Sequence, residues 1–479
     1  MIFRRFASTS SLPPTIRQLF QTDLVSFKSK RVQINGWVKS IRRQKRIAFA
    51  VISDGSSPQS LQAVFTDVTL AKSTCYRSLT NGSCVRLSGV LSDSVGPEQD
   101  REVQVDAVEY LGECDPAEYP IAKQSLTVEY LRDHAHLRAR TVPVASMIRF
   151  RDQTQRTLRR FFEDEDFTYV HTPIITANDC EGAGDTFSVT SSPTPATHSQ
   201  SQAPDKEKKS HFFGRPAYLT VSSQLHLEAV ASSLARVYTL SPCFRAERSQ
   251  TGRHLSEFWM LEAEWAFATQ LRDLCDVVER SIKSVLNQQS SELPALHQDI
   301  PDVRKASLEA ASRWDKSWAS ISYTDAVAEL QKYQDAYRKF RFDPTWGGPL
   351  QSEHERWLAE QLVGGPVFVT DYPTSLKPFY MRANENGNTV ACFDLLVPHL
   401  GEIVGGSLRE ERLPLLEEAV KLHGLDPEEY GWYLDLRKYG GAPHGGFGLG
   451  FDRLVQWISG IENIRECIPM PRYAGRMLL

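Results

Sequence analysis

The sequence predicts an α+β protein in two parts: a small all-β module, then a larger region in which an antiparallel sheet is flanked by helices. Three observations lead there. Residues 30–112 hold five short stretches of alternating polarity separated by turn residues, as half-buried strands do. Residues 113–140 are broken by Pro116 and Pro120 and read as a connector. Residues 141–479 mix helical periodicity with glycine-rich strand–helix junctions.

In the first part the strands are Val32–Val38, Phe49–Gly55, Leu61–Phe65, Cys84–Gly89 and Val103–Tyr110. Five short strands suit a closed barrel of the OB-fold type; a β-sandwich is the alternative. In the second part, Ser146–Asp166 places Met147, Phe150, Leu158, Phe161 and Phe162 near a 3.6-residue period, which predicts a helix. A strand at Tyr169–Thr172 follows and stops at Pro173. Residues 191–210, rich in Ser, Pro, Thr, Gln and Lys, read as a flexible surface insertion. Residues of about 270–360 read as an inserted helical module.

With 479 residues, 41% hydrophobic and 24% charged, the chain can bury two or more cores. A net charge of −4 excludes binding of nucleic acid by bulk charge, so any RNA contact must come from local patches. The eight cysteines, at positions 75, 84, 114, 180, 243, 275, 392 and 467, form no CxxC pair and predict neither a disulfide frame nor a zinc site. No apolar run is long enough to span a membrane. Met1–Thr22 has no Asp or Glu but carries Arg4, Arg5, Arg17 and several Ser and Thr, the composition of a mitochondrial presequence. The expectation is a presequence over 1–22, with Arg4–Ser8 suited to processing, and a mitochondrial matrix destination.

Three segments carry chemistry. Arg236–Glu247, a polar loop with Arg253 and His254, and Phe258–Phe267 read as strand, loop, strand. Arginines at such a loop can grip a polyphosphate, because a planar guanidinium pairs with phosphate oxygens bidentately. Asp394 and Glu402, on neighbouring strands, suit a hard cation such as Mg²⁺, and the adjacent Gly405 and Gly406 allow close approach of a nucleotide to the backbone. Gly440–Leu454 is a glycine-rich strand, ending at Gly450, that enters a helix with Arg453 in its first turn. Each piece alone has an ordinary explanation as a surface ion pair, solvated carboxylates or a packing turn.

Taken together and in order, these segments resemble the signature motifs of class II aminoacyl-tRNA synthetases. The helix and strand ending at Pro173 resemble motif 1, Phe244–Glu247 with Arg253 and His254 resemble motif 2, and Gly446–Arg453 resembles motif 3. A barrel ahead of this core is the plan of the aspartate, asparagine and lysine subclass. Within it the chain is similar to asparaginyl-tRNA synthetases of bacterial and organellar type. Glu181–Gly184, Leu219–Leu225, His254–Glu262, Phe379–Arg382, Gly405–Arg412 and Trp432–Arg437 carry the likeness, from about residue 30 to the C-terminus. The family usually has Gly where Ser223 stands.

The resemblance implies ATP-dependent activation of L-asparagine and its transfer to tRNA(Asn). Arg245 would hold the α-phosphate and the substrate carboxylate, and Glu247 the base of ATP or the amino-acid end. Arg253 and His254 would reach the distal phosphates, Phe258 would stack on adenine, and Arg453 would bind the γ-phosphate. Asp394 and Glu402 would hold Mg²⁺. Glu181 and Gln224 would take the ammonium of asparagine, beside Ser223. Arg409 would read the side-chain carbonyl, with Glu228 the candidate acid that rejects aspartate; otherwise Glu228 is a helix-surface residue. In the barrel, Phe49 and Gln62 would stack on and read anticodon bases, with Arg42 and Arg43 in a basic patch; otherwise Phe49 is a core aromatic. Motif 1 implies a homodimer. An aspartyl-tRNA synthetase, strict or non-discriminating, and an asparagine-forming ammonia ligase are the rival readings of the same core.

Overall fold

In the computed structural model the described residues are 12–21, 31–66, 76, 78–94, 99, 101–121, 125–177, 186–191, 211–249 and 251–479. They fall into two compact units, residues 1–149 with 291–295, and residues 150–290 with 296–479.

The first unit is built on a closed barrel. Its strands β1 (Arg31–Arg43), β2 (Ile47–Ser53), β3 (Leu61–Thr66), β4 (Cys84–Asp93) and β5 (Arg101–Gly112) run in the order β1-β2-β3-β5-β4. The five strands and the closed barrel are those expected, and the sandwich alternative falls away. Alternation does the sorting: Val32, Ile34 and Val38 of β1, and Ala48, Ala50 and Ile52 of β2, point into the core. Phe49 is therefore on the outer face, paired in register with Arg42 on one side and Val64 on the other. It is half-buried there and is not a core aromatic. Gln62 shares that face, donating to Glu102 at 3.2 Å. Arg42 is exposed, whereas Arg43 donates to the Leu79 carbonyl at 2.6 Å and lies over the Tyr76 ring.

The helix Ile16–Gln21 falls within the span expected for a presequence and packs on the barrel. Ile16 and Leu19 are buried in the barrel core. The Ile16 amide donates to Asp54 at 2.8 Å, and Arg17 pairs with Glu292 at 2.7 Å. Removal of residues 1–22 would strip these groups from the barrel. Leu19→Ala is expected to destabilise the barrel by about 2–5 kcal/mol. Hydrogen exchange in β1–β5 of the full chain under mild urea measures this, and unchanged protection would contradict it.

The second unit is built on an eight-stranded sheet. Its strands are β6 (Thr168–Tyr169), β9 (Arg236–Phe244), β10 (Glu257–Ala266), β11 (Ala319–Ser322), β12 (Val367–Thr370), β13 (Cys392–Val397), β14 (Gly401–Leu408) and β15 (His444–Gly450). The order is β11-β12-β13-β14-β15-β10-β9-β6, antiparallel except for the parallel pairs at its two edges, β11 with β12 and β6 with β9. A separate small hairpin pairs β7 (Ile175–Thr176) with β8 (Tyr218–Leu219). Phe162, in the helix Val142–Asp164, stacks on Tyr238 of β9 at 4.7 Å. The stretch 270–360 is not purely helical. Its helix Leu271–Leu286 buries Leu274, Val278 and Ile282, while β11 adds an edge strand to the main sheet. The insertion expected over 191–210 lies, from residue 192, outside the described residues.

Candidate active site

The antiparallel trio β9, β10 and β15 sets up the first cavity. Register places Met260, Glu262 and Glu264 of β10 opposite Gly450, Gly448 and Gly446 of β15, so long side chains face residues without any. The loop after β9 adds Arg245, Glu247, Arg253 and His254. The helix Phe451–Ser459 adds Arg453, and its Asp452 accepts from the Trp259 amide at 2.8 Å, which ties the helix start to β10. Together with Phe258, Glu402 and Gly450 these residues line a cavity of about 180 Å³. The Arg245 guanidinium lies 5.6 Å over the Phe258 ring. Burial lowers the pKa of His254, the cations of Arg453, Arg253 and Arg245 lower it further, and Glu247 opposes them. The imidazole is thus held neutral among three guanidinium groups. A cavity of this polarity attracts a polyphosphate.

A second cavity of about 200 Å³ shares Arg245, Met260, Glu402 and Gly448 with the first, so Arg245 stands where the two meet. On its β13–β14 side, Asp394 accepts two hydrogen bonds from Lys377, at 2.8 and 2.9 Å. Glu402 lies 4.0 Å from Arg453, which also donates to the Glu402 carbonyl at 2.9 Å. A Cβ on Gly405 would sit 3.5 Å from both Asp394 Oδ1 and Glu402 Oε1, so the two carboxylates converge on one notch that glycine leaves open. Two hard oxygen donors beside a phosphate cavity fit Mg²⁺, which uses one or two carboxylates and takes the rest of its shell from water and phosphate. Gly406 lines the same cavity as Gly405, and a Cβ there would also meet the Phe393 ring, so its bare backbone serves packing as well. Glu355, which no motif signals, lies behind the notch. Burial and the neighbouring Glu402 raise its pKa to about 7.

The far end of the second cavity is the most heavily charged part. Arg409 donates from Nε and Nη2 to Glu264 at 3.1 and 2.9 Å, and from Nη1 to Ser407 at 2.6 Å. Gly446 is required there, because a Cβ would collide with the Glu264 carboxylate. Glu228 is fully buried, not on the helix surface, and reaches Arg409 at 3.9 Å. Glu264 is therefore the direct partner of Arg409, and Glu228 stands behind it. The alternation of Glu262 and Glu264 on a strand was the available signal, since i and i+2 share a face. Glu262 accepts from the Ser222 hydroxyl and from the Ser223 amide at 2.9 Å. Gln224 lines the cavity, but Ser223 does not: its hydroxyl meets Thr172 at 2.7 Å and Ser241 at 3.1 Å. The hydroxyl in place of the family's usual Gly is thus directed away from the cavity lining. Glu181 lies outside the described residues. Glu228, Glu264 and His444 bring ligand atoms within 4.8 Å of one another. Arg409 and Arg437 pair with these carboxylates, which makes the group an ion-pair cluster unsuited to a metal.

Residues 127–474 match the family described as tRNA synthetases class II (D, K and N), and residues 32–111 match the OB-fold nucleic acid binding domain. This chain belongs to the class II tRNA synthetases of the D, K and N group. Within it, the chain is 43% identical to the asparagine–tRNA ligase of Protochlamydia amoebophila, over 98% of this chain and 99% of that protein. It is 42% identical to the mitochondrial asparagine–tRNA ligase of Schizosaccharomyces pombe, over 97% and 98%. Among solved structures, the asparaginyl-tRNA synthetase of Pyrococcus horikoshii complexed with asparaginyl-adenylate superposes with a TM-score of 0.82 at 29% identity, covering 98% of this chain and 99% of that one. The barrel-plus-sheet architecture is thus that of a synthetase of this group, and no helix among the described residues is long and apolar enough to cross a membrane.

Proposed function

We propose that this synthetase is an asparagine–tRNA ligase: it condenses L-asparagine with ATP to asparaginyl-adenylate and pyrophosphate, then passes the asparaginyl group to a terminal ribose hydroxyl of tRNA(Asn). The observation that carries the reading is the end of the second cavity, where the buried Arg409 and Arg437 are matched by two buried carboxylates, Glu264 and Glu228. A side-chain amide leaves that balance untouched. A carboxylate adds a buried negative charge without a partner, which is costly.

The residues divide the work by position. Arg245, at the meeting point of the cavities, is placed to grip both the attacking carboxylate and the α-phosphate. Arg253, His254 and Arg453 face the distal phosphates, Phe258 the adenine, and Glu247 the base or the amino-acid end. Gln224, with Glu262 behind it, faces the ammonium. Asp394 and Glu402 would hold Mg²⁺, which when bound neutralises phosphate charge. No side-chain nucleophile is needed, since in-line phosphoryl chemistry rests on positioning and charge stabilisation. Incubation with total tRNA and each amino acid tests the assignment: asparagine forms the ester, whereas an aspartyl ester, or free asparagine made from ammonia, would overturn it.

The outer barrel face supports anticodon reading. Phe49→Ala is expected to raise the tRNA KM by roughly 10-fold or more, since each stacked base contributes about 1–3 kcal/mol. Pyrophosphate exchange without tRNA stays within about twofold, and an unchanged tRNA KM would remove Phe49 from this role. A homodimer is supported by the apolar residues Ile174 and Ile175, exposed just past motif 1; sedimentation checks it, and a monomer at micromolar concentration would contradict it. Mitochondrial service is supported by the acid-free, arginine-bearing N-terminus and the likeness to the Schizosaccharomyces pombe enzyme. Import of the full chain into isolated mitochondria tests it, with protease protection expected and full sensitivity contradicting it.

A further inference from the structure

The helix Gly431–Lys438 lies behind the amino-acid pocket and lines neither cavity, yet two of its side chains converge on Glu228. Tyr433 donates its hydroxyl to Glu228 Oε2 at 2.7 Å, and Arg437 donates Nη2 to the same oxygen at 2.8 Å. His444 Nε2 stands 2.9 Å from it as well. Arg437 is fixed in turn: Nε donates to the Glu410 carbonyl at 3.0 Å, Nη2 also reaches the Tyr433 hydroxyl at 2.9 Å, and the guanidinium lies 4.1 Å over the Tyr433 ring. Oε2 is thereby crowded with donors. Oε1 has one, the Gln224 side-chain amide at 3.0 Å, with Arg409 at 3.9 Å. A carboxylate oxygen offers about two acceptor directions, so Oε1 keeps one in hand. The group it holds here is a primary carboxamide, the same chemical group as the side chain of asparagine.

We propose that Arg437, with Tyr433, is a specificity-positioning pair: it occupies one oxygen of Glu228 and leaves the other to hold the Gln224 amide beside Arg409, so that the buried charge behind these two lining residues lets the pocket accept a carboxamide and reject a carboxylate. This rests on the asparagine reading above and deepens it. The charge count runs the same way. Two buried acids, Glu228 and Glu264, face two buried arginines, Arg409 and Arg437. Without Arg437 the buried Glu228 loses its principal cation and takes up a proton, because burial alone disfavours the charged form. A protonated Glu228 no longer repels a carboxylate held at Arg409. The balance holds in the intact protein: burial would raise the Glu228 pKa, but Arg437, His444 and Arg409 together hold it well below the usual carboxylate range.

The test is ATP–pyrophosphate exchange with asparagine and with aspartate for the wild type, Arg437→Met and Arg437→Lys. The ratio of kcat/KM for asparagine over aspartate is expected to fall by at least about 10-fold in Arg437→Met, through the amino-acid KM and with the ATP KM unchanged. Arg437→Lys retains most of the ratio because it keeps the charge. Tyr433→Phe deletes one hydroxyl and leaves the ring; it carries the test if Arg437→Met does not fold, with a fall of about threefold expected. Equal losses towards both amino acids, with the ratio unchanged, would mean that the pair only supports the fold and would overturn the proposal. A wild type that prefers aspartate would overturn the asparagine reading, and this inference with it. A wild type that prefers asparagine, with a ratio indifferent to Arg437, would overturn this inference alone.

Discussion

Arg245→Ala lowers kcat/KM for pyrophosphate exchange by about 10²–10³-fold, the loss expected when one preorganised donor to a developing charge is removed. The size of the effect follows from where the side chain stands. Arg245 is shared by the phosphate cavity and the amino-acid cavity. It is therefore the cation placed to hold the attacking carboxylate and the α-phosphate in line. Its guanidinium lies 5.6 Å over the Phe258 ring. Because no protein nucleophile takes part, loss of alignment has no alternative chemical route. The loss is expected mainly in kcat, since Arg253 and Arg453, proposed to face the distal phosphates, remain in place. Single-turnover adenylate formation separates the two, and a variant within about threefold of wild type would remove Arg245 from the chemical step.

Glu228→Gln changes selectivity more than rate. The substitution keeps an acceptor oxygen for Arg437 and Tyr433, so the buried cluster retains most of its hydrogen bonds, but it removes one of the two charges opposing an aspartate side chain. Two unit charges about 4 Å apart at intermediate dielectric interact by about 4 kcal/mol, which sets an upper bound of roughly 10³-fold. The asparagine-over-aspartate ratio is expected to fall by at least about 10-fold and up to that bound. Competition experiments with both amino acids at saturating ATP measure it. A ratio unchanged by the substitution would leave Glu264 as the only acid that matters.

Much of this architecture is legible in the sequence, and the parts that are not share a cause. The five barrel strands stand out because each alternates and ends in turn residues. β11 does not, because four residues carry too little pattern and only its parallel pairing with β12 makes it a strand. Ile16 and Leu19 look like part of a basic leader because their burial depends on Val32, Phe65 and other residues far along the chain. The phosphate cavity is legible because Arg245, Arg253, His254 and Arg453 sit in short ordered motifs. The amino-acid end is less so. Which of Glu228, Glu262 and Glu264 meets Arg409 is decided by strand register and by the absence of a Cβ at Gly446. Lys377 and Glu355 approach Asp394 and Glu402 only through tertiary packing. The direction of the Ser223 hydroxyl, toward Thr172 and Ser241, likewise follows from the fold.

The charge-balanced pocket beside the arginine-lined cavity is proposed to activate asparagine. The most direct test is the ratio of kcat/KM for asparagine over aspartate in ATP–pyrophosphate exchange with the wild-type protein. A preference for asparagine of about 10⁴-fold is predicted, the range open to a site built on hydrogen bonds without editing. Equal use of the two amino acids, or a preference for aspartate, would contradict it.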